Sequence, residues 1–494
     1  MANVYLDALD SGFRLSSNTV AYHFSDEQFL WNAYEKAQFT VALSQWSKVA
    51  NLSFVQTADA AAADFYLINV DSSIIGGGIL ADFEFPSGGR QEGRFNYEGT
   101  GWDFSNTTGG LQQGGYGFTT ILHEVGHGLG LAHSHGREGG SGVFPGVDGA
   151  FDTGRFGHNQ GLYTVMSYND GRVADNLDPD VTPGYGWSGT PMAFDIYAIQ
   201  QIYGANNNYH KGNDVYRLPE TNDGGTFYQA IWDAGGSDWM RYDGDDMSTI
   251  DLRAASLRSG DMYAGGRLSS ADGIYGGYTI ANGVTIENAS GGSAGDFIYG
   301  NNVRNVIIGN DGDDFVVGFG GNDRLSGNAG NDVLRGDDGK DVLLGHGGND
   351  RLIGGRDHDV AAGAGGDDVL IGGAHNDVLK GQAGNDRLNG GGGGDRMFAG
   401  DGNDIVNGGG GDDFFVFGAG IDRAVFAGRW GDDQLKNFTP GEDILDFSGV
   451  GGLRAFGQLS IVNSRGDTVI SYGPNSVRLI DVDRTSIDQD DVIL

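Results

Sequence analysis

The sequence predicts an α+β domain followed by an all-β parallel β-roll. Three observations predict it. Amphipathic helical spacing alternates with short β-type runs through about residue 205. A nine-residue period then runs from Gly291 to Val416, fourteen units in phase without an insertion. The segments between and after these regions are short, β-like and punctuated by Gly and Asp turns.

Residues 1–17 read as an N-terminal segment and are expected to include a short removable prosegment. The first domain, 18–205, opens with a strand over Asn18 to Phe24. A helix follows from about Ser25 to Ala50, with Phe29, Leu30, Tyr34, Ala37, Val41, Leu43, Trp46 and Val49 on its apolar side. Leu52 to Val55, Asp64 to Val70 and Ile79 to Phe85 are β-type. Phe118 to Ala132 has helical spacing. Pro191 to Gly204 is a second amphipathic helix, with Pro in its first turn and Gly at its stop. Residues 206–290 form a β-rich bridge, 291–416 the periodic roll, and 417–494 a C-terminal β cap for its open end.

Composition narrows the function. A net charge of -37, from 67 acidic against 30 basic residues, argues against nucleic-acid and anionic-membrane partners, which require a basic surface. It suits a protein that binds cations. With 91 Gly but only 8 Pro and no three-residue period, the chain is not collagen. No Cys is present, so a transition metal must be held by His, carboxylate or phenolate groups. The start, MANVYLDALDSGFRL, lacks the basic and continuous apolar parts of a signal peptide, and no stretch approaches the roughly 20 apolar residues of a membrane span.

The chemistry sits in HEVGHGLGLAH, His123 to His133. His123 and His127 are four apart, so on a helix both imidazoles reach one metal ion from one face. His133 lies about 600° further round if the helix continues. The helix must therefore break first. Gly130 supplies the break, because it can take the left-handed conformation that ends helices. Three neutral imidazoles leave a position on zinc for water, and Glu124 is placed to take its proton. The chemistry implied is metal-assisted amide hydrolysis. The full HExxHxxGxxH pattern arises by chance in only about a few chains per hundred thousand.

The repeats, such as GFGGNDRLS and GNAGNDVLR, share a Gly-rich turn, Asp at position six and an apolar residue at position eight. Gly-rich turns expose carbonyl oxygens and the Asp adds a charged one, which makes a hard-cation site suited to calcium. The position-six aspartates are Asp296, Asp314, Asp323, Asp332, Asp341, Asp350, Asp359, Asp368, Asp377, Asp386, Asp395, Asp404 and Asp413. Asn305 holds that slot in the second unit, so a weaker half-site is expected there. Leu325, Leu334, Leu343 and Leu352 should pack inward between stacked coils. Calcium-dependent folding fits the near-millimolar calcium outside cells.

The long zinc motif, the segment YTVMSY and the downstream nonapeptides together resemble the serralysin family of metzincin metalloproteases. The helix with Asp195, Gln200, Tyr203 and Gly204 is similar to that family's last catalytic-domain helix. The resemblance spans about Asn18 to Leu494. It implies a metzincin zinc-protease fold, one catalytic Zn²⁺ and several structural Ca²⁺, with two repeats per roll turn. It implies that Met166 is the Met-turn residue beneath zinc, and that Tyr168 can ligate zinc and swing to stabilise the oxyanion. It also suggests calcium contacts at Asp233, Gly235, Gly236 and Asp238, and at Thr285 and Glu287. Ser134 departs from the Pro common in serralysins, and His135 is a surface or supporting residue. The terminal DDVIL resembles an uncleaved type I secretion signal.

The expected function is therefore a secreted zinc endopeptidase of broad specificity acting on extracellular proteins. It is expected to be a monomer, exported by type I machinery and open to a small inhibitor protein. A calcium-dependent adhesin and a polysaccharide enzyme bearing the same repeats are the rival readings. Neither requires HExxHxxGxxH followed by a Met-turn.

Overall fold

The computed structural model describes residues 3–103, 109–136, 141–169, 185–223 and 226–494. Two compact units result, Met1–Asp238 with Arg253–Ile286, and Trp239–Leu252 with Glu287–Leu494. The expected 206–290 bridge is thus divided between them. The reason is strand pairing: Trp239–Arg241 pairs in parallel with Asn288–Ser290, and Ser248–Asp251 with Phe297–Asn301, so Trp239–Leu252 becomes part of the roll.

In the first unit α1 (Val4–Leu9) precedes β1 (Thr19–Ser25) and α2 (Ala33–Val49). Helix α2 starts later than expected, because β1 runs through Ser25 and Asn32 caps the helix in a reciprocal box with Glu35. Strands β2 (Ser53–Gln56), β3 (Phe65–Val70), β4 (Ala81–Phe83) and β5 (Gln91–Asn96) follow, with α3 (Ser72–Ile75) after β3. The sheet order is β2-β1-β3-β5-β4, parallel except for the antiparallel edge strand β4. Phe39, Trp46, Phe65 and Phe95 are wholly buried around it.

Helix α4 (Tyr116–Gly128) lies against α2 and β4. Gly128 lets it approach the sheet, since a Cβ there would come 2.7 Å from the Phe83 ring. Helix α5 (Ala193–Tyr203) ends at Gly204, as the sequence suggests.

The N-terminal residues pack against the first unit. Tyr5, Ala8 and Leu9 of α1 are buried, and Tyr5 stacks on Phe194 at 4.3 Å.

In the second unit successive repeats alternate between two parallel sheets, so each strand pairs with the one 18 residues on: Val316 with Leu334, Leu325 with Leu343. Position-eight residues, including Leu325, Leu334, Leu343 and Leu352, are fully buried between the sheets. At position four, Gly339 has φ +133 and a Cβ there would meet the Gly321 carbonyl of the preceding coil at 1.5 Å. A side chain at Gly339 has no room, although Asp357 and His375 take the same slot in other units at φ +72 and +77.

The parallel ladder does not stop at Val416. Arg423–Ala427 and Ile444–Gly449 extend one sheet and Asp432–Lys436 the other. The antiparallel strands Ser460–Ser464, Asp467–Tyr472 and Asn475–Leu479 then finish the second sheet, and Val492–Ile493 pairs with Leu445–Asp446.

Candidate metal centre

Helix α4 ends in a Schellman motif. The Leu131 N–H donates to the Gly126 carbonyl (2.8 Å), the Gly130 N–H to that of His127 (2.8 Å), and Gly130 has φ +100. The chain thereby turns back and brings His133 to the two helical histidines. His133 Nε2 lies 3.2 Å from His123 Nε2 and 3.1 Å from His127 Nε2.

Each helical imidazole is fixed from behind. His123 Nδ1 donates to the Val165 carbonyl and His127 Nδ1 to the Leu131 carbonyl, both at 2.7 Å. A carbonyl can only accept, so the proton sits on Nδ1 and the Nε2 lone pair is bare. Burial, reinforced by the neighbouring imidazoles, holds His127 well below the usual range and pushes His133 down to about 2. The His127 and His133 rings are therefore neutral at neutral pH. Bare lone pairs this close repel one another, whereas tetrahedral zinc with bonds of about 2.05 Å separates its nitrogens by roughly 3.3 Å. The cluster fits the ion.

Glu124 is buried, and burial, aided by the charge of Asp82, pushes its carboxyl up to about 8. With His123 and Tyr168 it lines a cleft of about 450 Å³ whose walls include Ile79, Leu80, Tyr116, Phe151 and Trp187. Tyr168 is half-exposed, with its ring 4.8 Å from that of His133 and 5.6 Å from that of His123. His135 packs against both Tyr168 (4.7 Å) and His133 (4.9 Å).

Met166 is fully buried beneath the helix, and a Cβ on Gly126 would lie 2.7 Å from its Sδ. Ser134 ties the third histidine to this turn, because its N–H donates to the Met166 carbonyl at 3.3 Å. Proline, having no N–H, could not make that bond. In the sequence Asp195 reads only as part of its helix. Its wholly buried carboxylate accepts from Thr164 Oγ1 (2.5 Å), the Val165 N–H (2.7 Å) and the Met192 N–H (2.9 Å). It thus stands behind the same Val165 peptide that holds His123.

In the roll, the position-six carboxylates form a second kind of site. Oδ1 of each accepts the main-chain N–H of the residue one coil earlier, at 2.7–3.0 Å from Asp314 through Asp433. Oδ2 is buried without a hydrogen-bond partner at every rung from Asp314 to Asp413, and again in Asp433. Such orphaned anionic oxygens, set beside glycine carbonyls, fit a hard cation. Asp422, Asp433 and Asp443 continue the ladder beyond the expected set.

Asp233 and Asp238 are buried and joined by the loop 210–214, which sequence reading passed over. The Asp214 N–H donates to Asp238 Oδ1 (2.7 Å), and ligand atoms of His210, Asp214 and Asp233 lie within 4.8 Å of one another. Gly235 donates its N–H to Asp233 Oδ1 (2.7 Å), and Gly236 abuts the Gly212 carbonyl. Thr285 is exposed in the first unit, whereas Glu287 belongs to the second.

Comparison with known proteins agrees with both halves. The Matrixin family matches residues 14–139, and the RTX calcium-binding nonapeptide repeat matches five stretches between 290 and 424. The chain is similar to proteins named serralysin and AprA. It is 34% identical to metallopeptidase AprA of Pseudomonas marginalis over 308 residues, 59% of each chain. It is 34% identical to a serralysin of Photorhabdus luminescens over 58% of this chain and 56% of that one. Serralysin C of Dickeya chrysanthemi is 30% identical over 60% of each. The matches thus span about three fifths of the relatives' length. A matrixin domain joined to RTX repeats carries a catalytic Zn²⁺ and structural Ca²⁺. No helix among the described residues is long and apolar enough to cross a membrane.

Proposed function

We propose that this chain is a zinc-dependent endopeptidase that hydrolyses peptide bonds of extracellular proteins with broad specificity. The observation that carries the reading is the convergence of three histidine Nε2 atoms, with His123 and the buried Glu124 lining one cleft. His123, His127 and His133 hold the metal. Zn²⁺ bound there supplies Lewis acidity toward water and the scissile carbonyl.

The other steps belong to the chain's own groups. Glu124, buried next to the ligand His123, takes a proton from the attacking water and returns it to the leaving amine. Tyr168, with its ring against His123 and His133, donates its phenol to the oxyanion. Met166 and Asp195 support the turn beneath the histidines. Edge strand β4, beside α4, is suited to hold an extended peptide by main-chain hydrogen bonds.

The position-six aspartates, Asp233 with its loop, and Thr285 and Glu287 are assigned to calcium. The orphaned carboxylates of the roll and the segment DDVIL favour export by type I machinery and function outside the cell; the protein acts as a monomer, and a small inhibitor protein would act at the cleft. The test is casein hydrolysis by the calcium-loaded protein beside Glu124→Ala and a zinc-chelated sample. Activity in the untreated wild type alone is the expected result. A folded, zinc-loaded wild type without activity would overturn the proposal in favour of an adhesin.

A further inference from the structure

We infer that the N-terminal segment Leu9–Ser11 is a positioning element of the metal centre, so that cutting it away disarms the site. The inference rests on the metallopeptidase reading. Between the end of α4 and His133 the chain must hold a tight, buried turn: Leu129, Leu131 and Ala132 are wholly buried. The Schellman bonds satisfy only its first N–H groups. The rest of the turn is completed by the N-terminus.

Asp10 and Leu131 form an antiparallel bridge. The Ala132 N–H donates to the Leu9 carbonyl at 2.8 Å, next to His133 itself. The Gly130 carbonyl accepts from both the Ser11 N–H (3.2 Å) and Ser11 Oγ (2.6 Å). Approach is so close that a Cβ on Gly130 would lie 2.1 Å from the Phe13 carbonyl. Gly130 is thus demanded twice, by its left-handed φ and by this packing.

The bridge sits on the residue that orients a metal ligand, since the Leu131 carbonyl accepts from His127 Nδ1. One short segment therefore holds the His127 acceptor and the main chain entering His133. It is itself anchored away from the metal. The Tyr5 hydroxyl bonds His158 Nδ1 at 2.8 Å, and the Asp7 carbonyl accepts the Gly142 N–H at 2.8 Å. These are the contacts of an integral part of the fold.

The test compares full-length wild type, Ser11→Ala, Ser11→Pro and, as a control, Asp7→Ala, an exposed side chain on α1. Zinc affinity is read by competition with a chromophoric chelator, alongside kcat, KM and melting of the metal-free protein. Groups that orient metal ligands typically alter affinity about 10- to 100-fold. Ser11→Pro is expected to loosen zinc by that factor, and Ser11→Ala by less. Excess zinc should restore kcat with KM unchanged, which a general loss of structure would not allow. Asp7→Ala should match wild type. Wild-type zinc affinity in both Ser11 variants would overturn the inference. Failure of the wild type to bind zinc or cleave casein would overturn the underlying reading, and the inference with it.

Discussion

Stripping calcium from the roll should make its folding acid-dependent, in the sense opposite to ordinary acid denaturation. Burial pushes Asp332, Asp341, Asp386 and Asp413 up to about 6. It pushes Asp314, Asp323, Asp368, Asp377 and Asp404 up to about 7, and Asp359 and Asp433 up to about 8. An unfolded aspartate titrates near 3.9. A raised folded value contributes stability that is complete below about pH 4 and is lost as pH rises through about 6–8. Each rung that keeps a proton the unfolded chain has shed tilts stability by about 1.4 kcal/mol per pH unit. Eleven such rungs, even discounted several-fold for mutual coupling, give a tilt of several kcal/mol per unit, against a typical domain stability of about 5–15 kcal/mol.

The calcium-free protein should therefore regain β structure near about pH 5 and lose it near about pH 8. With calcium bound the carboxylates must be ionised, so the loaded roll should weaken in acid instead. Far-UV circular dichroism of exhaustively calcium-depleted protein across this range, beside a calcium-loaded sample, checks both directions. The reasoning fails if the depleted protein gives the same β signal at both ends of the range, or loses it on acidification.

Further changes to the chain probe the rest of the molecule. Asp195→Ala leaves the Val165 and Met192 N–H groups unpaired in a buried site. At about 1–3 kcal/mol per orphaned group, thermal unfolding of the first unit should show a loss of roughly 2–6 kcal/mol, and zinc should bind more weakly. Because burial raises the Asp195 carboxyl to about 7, the wild type should lose stability as pH rises through that value, whereas Asp195→Asn should not; parallel pH–Tm curves would contradict this. Gly126→Ala places a methyl against Met166 Sδ, an overpacking of about 1–3 kcal/mol partly offset by the better helix propensity of Ala. Its kcat should fall, and Met166→Ala in the same chain should recover part of the stability. Deleting Val492–Leu494 should trap the protein in the producing cell, read by immunoblot of cells and medium.

Much of this was legible in the sequence because the constraints are local. The spacing of His123 and His127 needs one helix face, and Gly130 announces the stop. Position-eight apolar residues recur because every coil buries one. The unread parts depend on contacts distant in sequence. Asp195, alone in the first turn of α5, reads as an ordinary helix cap, and nothing nearby reveals that it also holds Val165 thirty residues earlier. Residues Val4 to Ser11 are too short for periodicity to register, and their partners lie beyond residue 129. The ladder outruns the repeat because Phe417 replaces the leading glycine before Asp422, and inserted residues then shift Asp433 and Asp443 out of phase.

The rung without a charge explains what the others lack. Asn305 joins the ladder through its N–H, which donates to Asp323 Oδ1 at 2.8 Å, but its Oδ1 accepts from the Asn301 N–H at 2.9 Å, four residues before it. Its Nδ2 then donates to the Glu287 carbonyl (2.9 Å) and to Asn301 Oδ1 (3.1 Å). An amide donor thus meets the oxygens that face it, and this rung is satisfied by protein alone. Where aspartate stands instead, from Asp314 to Asp413, Oδ1 faces the preceding coil as Asn305 Nδ2 does, and the oxygen on the glycine side, where Asn305 Oδ1 has the Asn301 N–H, is an Oδ2 without a hydrogen-bond partner. The difference between the two is one positive partner per rung, and in the buried interior only a proton or a bound cation can supply it. Protons therefore compete with calcium for the same oxygens, which ties the roll's acid-dependent folding and its calcium-dependent folding to one set of atoms.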